Sequence, residues 1–475
     1  MRYAENSIFA CKQDMKIKRD DKKLKASAAK ISIREGSAAS LMEGFGNRYI
    51  TPYALALGAS NFYIGMLSSL PGLLGNLAQL FSLRLMKKMP RKKIVFFSVL
   101  LQAILWLPLI AVGVLYFIYG ISSGFAALLL IVFYTLMVIA GSLSGPVWNS
   151  WMKDIITENS GEYFGRRSMI IGFVSTIGIL IAGLILNYFG KLSFTGFLII
   201  FVIAFAGRSL SAYFLTKQYE PKFKYEKDSY FSFLQFVEKM SFNNFGRFVI
   251  LVSLVSFATA IAGPFFAVYM LRDLNLSYLQ FTFITLSAPL TTLLFVPMWG
   301  KFADRFGNVV VLKITGFLVP LVPLYWVFTI FFYSPENVLF VVGYLIVCEA
   351  FISGFGWAGF SLAASDFIYD AVTREKMAFC CAYFNIINAF CTFIGALIGG
   401  LIASEKMFIF GMKSIIFVFI LSFVLRFAVV LIMNPLIKEV RDVKEFKLKK
   451  PLERISFEEP FKEIFIFEKI RLRNV

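Results

Sequence analysis

The fold is decided by a short charged stretch in the second half of the chain, Gly300-Lys301-Phe302-Ala303-Asp304-Arg305-Phe306-Gly307. Two long apolar runs flank it, residues 281–299 and 309–333. We therefore expect a very short loop between two helices of membrane length. Gly300 should let this loop approach a neighbouring helix closely, and Gly307 should supply a left-handed turn.

The composition of the whole chain is that of an integral membrane protein. Of its 475 residues, 58% are hydrophobic and 17% aromatic, far more than in a soluble domain. The runs lack the alternation of a barrel strand, so the predicted fold class is all-α, a polytopic membrane protein. A membrane-spanning helix needs about 20 mostly apolar residues, and about twelve runs qualify, near 36–58, 62–85, 94–119, 123–152, 167–190, 193–216, 246–271, 278–300, 309–333, 337–365, 378–403 and 413–436.

The distribution of Lys and Arg predicts the orientation in the membrane. Positive loops stay on the cytoplasmic side, and nearly all of the charge lies in the tails and in alternate loops. We therefore expect both termini to be cytoplasmic and the protein to be multi-pass in the inner (plasma) membrane. The same bias accounts for the net charge of +19, so we expect anionic membrane lipids as partners and no nucleic acid.

The two halves of the chain match each other at an offset near 217 residues. The repeat predicts two six-helix bundles, residues 36–216 and 246–436. We expect a basic tail at 1–35, a cytoplasmic linker at 217–245 and a basic tail at 437–475. The matched pairs are Leu70-Pro71 with Ala288-Pro289, Asp154 with Asp370, Gly183 with Gly399, and Arg208 with Arg426.

Once the repeat is recognised, the opening stretch can be compared with a known sequence pattern. Its pattern Gly-x-x-x-Asp-Arg-x-Gly, after the second span of a six-span repeat, resembles the cytoplasmic signature of the major facilitator superfamily across about residues 36–437. The resemblance implies a substrate cavity between two bundles, opened alternately to either side. It also implies a latch at Gly300, Asp304, Arg305 and Gly307. The corresponding first-half loop has Met86 in place of the acid, and Asn308 follows Gly307 where basic residues are common.

A narrower resemblance starts after the fourth span, with a Trp-Asn-Ser-Trp motif at residues 148–151. It is similar to a poorly characterised bacterial group of the same superfamily. The motif's tryptophans could form an aromatic belt with Arg166 and Arg167 as inside anchors. Alternatively, this loop is a gate element, and Asp154, Arg166, Arg167 and Asp370 then join the predicted cytoplasmic latch.

Polar residues inside the spans are candidates for the transport path, because each charge costs about 2.5–3.5 kcal/mol at the centre of a helix. The resemblance implies that spans one, four, seven and ten line the cavity, which selects Glu43, Asn47, Arg48 and Glu349. Glu43 and Asn47 share a helix face. Glu349, with Glu43 second, is the candidate for a coupling proton, since burial disfavours a charged carboxyl. Arg48 is the candidate for an anionic or polar substrate group.

Alternatives remain at several of these positions. Glu349 could instead bond a neighbouring helix without carrying a proton. Arg208 and Arg426 are expected to be structural and to reach the membrane surface with their long side chains.

The leading function is a secondary transporter, a proton-coupled symporter of a small-molecule substrate, which we expect to be monomeric. A lipid or glycan flippase and a non-transporting sensor are the alternatives. The sequence has no phosphate-binding glycine loop, metal cluster or nucleophile constellation. We therefore expect no cofactor, no metal and no enzymatic activity.

Overall fold

The computed structural model describes residues 2–157, 160–190, 193–221, 233–373, 376–404 and 413–443. All regular structure in these ranges is helical. The α-helices are α1 (Arg2–Phe45), α2 (Ile50–Ala56), α3 (Asn61–Met86), α4 (Arg91–Phe117), α5 (Ser123–Ile155), α6 (Ser160–Phe189), α7 (Phe194–Thr216), α8 (Phe233–Met240), α9 (Asn244–Ala262), α10 (Phe265–Val268), α11 (Tyr278–Phe306), α12 (Asn308–Leu318), α13 (Leu321–Phe328), α14 (Val338–Cys348), α15 (Phe355–Ala371), α16 (Met377–Ser404) and α17 (Ser414–Met433). Most of the predicted C-tail, residues 444–475, lies outside the described ranges.

Eleven helical segments of the described chain are long and apolar enough to cross a membrane. They confirm the predicted all-α polytopic fold. The exception is the predicted first span, 36–58, where α1 ends at Phe45 and a 3-10 turn, Asn47–Tyr49, leads into α2. The break lies at Gly46, where a Cβ atom would stand 2.3 Å from the ring of Trp106. A broken helix with polar residues at the break contains no long apolar window.

The helices of each half pack mainly among themselves. In the first half, α1 packs on α6 and α7, and α5 on α3 and α4. In the second half, α9 packs on α16 and α17, and α15 on α11 and α12. The two halves join where α3 meets α16 and where α6 meets α11. Glycines allow these close approaches, since a Cβ on Gly65 would lie 2.5 Å from the Ala396 carbonyl oxygen.

The chain alternates between two ends of the bundle. We call the end that holds residues 87–90, 307 and 437–443 the tail end, and the end that holds residues 57–60 and 274–277 the opposite end. Hydrogen bonds join the halves at the opposite end, where the Asn61 amide donates to the Ala403 carbonyl at 2.6 Å. The Arg272 guanidinium donates to the Ala59 carbonyl and to the Asn61 side chain nearby.

The opening stretch differs from the expected eight-residue loop. Helix α11 continues to Phe306 and α12 begins at Asn308, so Gly307 alone forms the connection. Its φ of 93° confirms the predicted need for glycine at this turn. The expected close approach at Gly300 is wrong, because a Cβ there would meet only the Leu362 side chain, at 3.8 Å.

Two segments that we assigned to tails and linkers also contain packed helix. Helix α1 starts well before the predicted first span, and its Ala28, Ser32 and Glu35 side chains are buried against the first half. In the predicted linker, α8 packs the ring of Phe236 against Tyr383 of α16, with ring centroids 5.6 Å apart. Residues 222–232 of the linker lie outside the described ranges.

Candidate functional site

Glu43 and Asn47 form the polar face of α1 at its break. The Asn47 amide donates to the Glu43 carboxylate at 2.7 Å, as their spacing of four residues predicts. Glu43 is exposed and lies close enough to Tyr134 of α5 to act on it electrostatically. Arg48 follows on the 3-10 turn and is also exposed.

Glu349 lies in a different environment. It begins a π-helical segment, Glu349–Gly354, between α14 and α15. The Trp326 indole N–H of α13 donates to its carboxylate at 3.2 Å. Tyr325, Ser353 and the buried Arg426 lie close enough to act on the carboxylate electrostatically. The contact with α13 agrees with the alternative interpretation, a bond to a neighbouring helix.

The structure therefore divides the four candidate residues between two places. Glu43, Asn47 and Arg48 share the break in the first half, whereas the partners of Glu349 lie on α13 and α17 of the second half. Glu349 is thus placed to affect the packing of its own half. The roles of all four residues stay predictions.

Arg208 and Arg426 do not reach the membrane surface, contrary to the expectation for both. Arg426 is only 1% exposed and donates to the carbonyls of Val319 and Thr259. Arg208 is 9% exposed and donates to the side-chain oxygen of Gln102. Their equivalent positions in the repeat thus hold buried cations that tie neighbouring helices together.

Glu35 of α1 is a buried acid that the sequence did not lead us to expect. Its carboxylate lies 3.3 Å from the Arg167 guanidinium and accepts from Ser211, which in turn accepts from Arg208. The available signal was the spacing of Ala28, Ser32 and Glu35, which places them on one helix face.

A polar cluster at the tail end of the second half includes two of the predicted latch residues. Asp370, at the end of α15, accepts from the Asn308 amide at 2.7 Å. Arg441, beyond α17, lies 3.1 Å from the Asp370 carboxylate and 3.7 Å from that of Asp304. The Glu439 carboxylate accepts from the Val309 backbone N–H at 2.9 Å, at the start of α12. Glu439 and Arg441, neither foreseen from the sequence, thus bring the segment after α17 onto the junction of α11 and α12.

The first half has a corresponding cluster despite its degenerate loop. Arg91, at the start of α4, donates to the Asp154 carboxylate at 2.7 Å and to the Ser150 carbonyl at 3.0 Å. Its guanidinium also donates to the Pro221 carbonyl, after α7. The positive charge of this cluster therefore comes from Arg91, five residues beyond Met86. The signature pattern does not include that position.

The Trp-Asn-Ser-Trp motif does not form a lipid-facing belt. Trp151 is fully buried, and its indole N–H donates to the Tyr219 carbonyl at 3.0 Å. Trp148 carries the Arg167 guanidinium over its ring, at 4.3 Å from the centroid. Arg166 is exposed, as is Arg305, whose guanidinium lies near the ring of Phe306. The motif therefore packs α5 against α6 and against the segment that follows α7.

No group of three His, Cys, Asp or Glu side chains in the described ranges is arranged to hold a metal ion. The two candidate sites consist of carboxylates, amides, guanidinium groups and aromatic N–H and O–H groups. This chemistry suits the binding of polar organic groups and protons.

Comparison with known proteins gives a consistent result. A family model described as the Major Facilitator Superfamily matches residues 37–246 and 248–473. A mutant of the nucleoside transporter NupG is similar in structure, with a TM-score of 0.65 and 15% identity, covering 86% of this chain and 100% of the other. A search of curated proteins gave no match.

Two further solved structures resemble the fold at similar distance. A bacterial homologue of the iron transporter ferroportin, in an inward-facing state, has a TM-score of 0.60 and 12% identity over 87% of this chain and 98% of its own. A POT family transporter in complex with 5-aminolevulinic acid has a TM-score of 0.60 and 14% identity over 86% and 97%. At these identities the likeness concerns the fold alone.

Proposed function

The chain belongs to the major facilitator superfamily, and from this premise we propose that it is a secondary active transporter that moves a small solute by alternating access, coupled to protons. The family and the structural neighbours support a membrane transporter. We propose in addition that the protein lies in the inner membrane with both termini in the cytoplasm.

The observation that carries alternating access is the position of the contacts between the halves. Asn61, Arg272 and Ala403 join the halves at the opposite end. The tail-end clusters around Asp154 and Asp370 instead close within their own halves. Two bundles that hydrogen-bond to each other at the opposite end and form separate clusters at the tail end can rock about a site between them.

Proton coupling rests on the two membrane carboxylates. Glu349 is partly buried and accepts a hydrogen bond from the Trp326 indole, so its charged form depends on the donors around it. Glu43 is exposed and accepts a hydrogen bond from Asn47. We assign Glu349 to the proton, and Glu43, Asn47 and Arg48 to the solute.

The first test identifies the solute. Purified protein is screened by thermal shift against sugars, amino acids, nucleosides, peptides and lipids. Stabilisation by one class that is lost in Arg48→Ala would support the assignment. Stabilisation only by lipids would favour a flippase over a solute transporter.

The second test addresses coupling, using the stabilising solute in proteoliposomes with and without an imposed pH gradient. Uptake by the wild type should rise with the gradient, and uptake by Glu349→Gln should not. Glu336→Gln is the matched control, because that carboxyl is exposed between α13 and α14. A normal gradient response in Glu349→Gln would remove the residue from the role.

A further inference from the structure

Two π-helical segments of the second half contact the same tryptophan. One is Tyr269–Asp273, which follows α10, and the other is Glu349–Gly354. A π segment accommodates an extra residue in a turn and is often found at functional sites. Both segments contact Trp326 of α13, through Tyr269 and through Glu349.

Trp326 is held tightly between these segments. It is fully buried, and its indole N–H donates to Glu349. Its ring meets Tyr269 nearly edge-on, with centroids 6.3 Å apart, and stacks on Phe266 at 5.1 Å. In a close-packed interior, a change in the indole's hydrogen bond moves the rings that lie against it.

The first π segment continues directly into the contact between the halves. Arg272, three residues after Tyr269, donates to the Ala59 carbonyl and to the Asn61 side chain. A shift of Tyr269 within this short segment therefore changes the position of Arg272. Asp273 is the neighbouring acid, and it pairs with Lys413 at 3.4 Å.

We propose that Trp326 is a positioning residue that transmits the protonation state of Glu349 to the contact between the halves at the opposite end. The ionised carboxylate holds the indole N–H, with Arg426 attracting it from α17. Protonation weakens both interactions, so the indole is released, Tyr269 shifts, and Arg272 loses its hold on Ala59. This inference deepens the proposed function and rests on its proton-coupled part.

The groups that face Glu349 are consistent with a single titrating site. Tyr325 approaches from α13, Arg426 from α17, and Cys348 from the preceding turn. Helix α11 meets the π segment with the uncharged Ala288 and Thr291, which lie against Gly354.

The experiment measures opening of the opposite end without any solute. Ala59 is 1% exposed, so Ala59→Cys places a small thiol that is covered when this end is closed. Labelling of purified protein by a maleimide is read by mass spectrometry of the peptide around position 59. Rates at pH 5 and pH 8 are normalised to denatured protein, and the native cysteines serve as internal references.

In the Ala59→Cys background, normalised labelling should rise about tenfold from pH 8 to pH 5, since a hydrogen bond to a charged group is worth that factor or more. Glu349→Gln should label rapidly at both pH values. Trp326→Phe, which keeps a ring but lacks the N–H, should also label rapidly at both. The double variant Glu349→Gln with Trp326→Phe should label no faster than either single variant. Trp357→Phe, in α15 rather than α13, controls for the loss of an indole and should behave as the parent.

Two results separate the inference from the function on which it rests. A normal pH response in Trp326→Phe, together with its loss in Glu349→Gln, would overturn the role of Trp326 and leave the proton assignment standing. A normal response in Glu349→Gln, or none in the parent, would overturn both. Thermal unfolding of Trp326→Phe beside Trp357→Phe identifies any loss of folding.

Discussion

Replacing Gly307 with alanine should destabilise the protein by about 2.5–6 kcal/mol, through two separable causes. Its backbone, at φ 93° and ψ 158°, lies in a region nearly exclusive to glycine, which costs other residues about 1–3 kcal/mol. In addition, the new Cβ would lie 2.2 Å from the Glu439 carboxylate. That carboxylate must move and lose its bond to the Val309 N–H, worth about 1.5–3 kcal/mol for a charged acceptor.

A double-mutant cycle separates these causes. Once Glu439→Ala has removed the carboxylate, Gly307→Ala should cost only the backbone term, about 1–3 kcal/mol. Unfolding free energies are measured by titrating SDS into protein in a mild detergent. Gly300→Ala is the matched control, because its Cβ has room and alanine favours a helix by about 1 kcal/mol. Additive effects of Gly307→Ala and Glu439→Ala, or a Gly307→Ala as harmless as the control, would refute the reasoning.

Three further predictions concern other contacts. Gly65→Val should force α3 away from α16 and raise labelling of the opposite end several-fold, whereas Gly72→Val, which has open space on the same helix, should not; equal labelling would argue against the packing. Arg167→Gln should lower the unfolding free energy by about 1–3 kcal/mol, because the buried Glu35 carboxylate loses its cation. Arg166 is exposed, so Arg166→Gln should lower it by less than about 0.5 kcal/mol. Arg208→Met should cost about 1–3 kcal/mol, because it leaves the buried side-chain oxygen of Gln102 without its donor; an unchanged melting curve would contradict this.

Hydropathy predicted most of the fold, because a membrane imposes the same length on each helix. It located the boundaries of the apolar runs rather than the ends of the helices. Residues 300–306 seemed to be a loop since they are charged, yet Lys, Ala, Asp and Arg all tolerate a helix, and only Gly307 stops it. The predicted first span is the opposite case. It is one apolar run in the sequence, but in the structure a close packing contact at Gly46 divides it into two helices.

The candidate sites were predictable only where the partners lie close in sequence. Glu43 and Asn47 are four residues apart, so helix geometry alone brings them together. The bond from Trp326 to Glu349 depends on how two spans are rotated about their axes, which the apolar pattern of a membrane helix does not encode. Arg426 was misjudged for the same reason, since its neighbours rather than its depth decide its burial.

The two tail-end clusters can form at different times while the chain is being synthesised. The contacts of Arg91 are complete once Pro221 has been added to the chain, whereas those of Asp370 wait for Arg441. The roughly 220 residues between them take about 10–45 s to translate at usual rates. During that interval the first half can finish folding while the second half lacks its closing cation. Helix α17 therefore delivers, with the segment behind it, the cation that completes the packing of the second-half helices made before it.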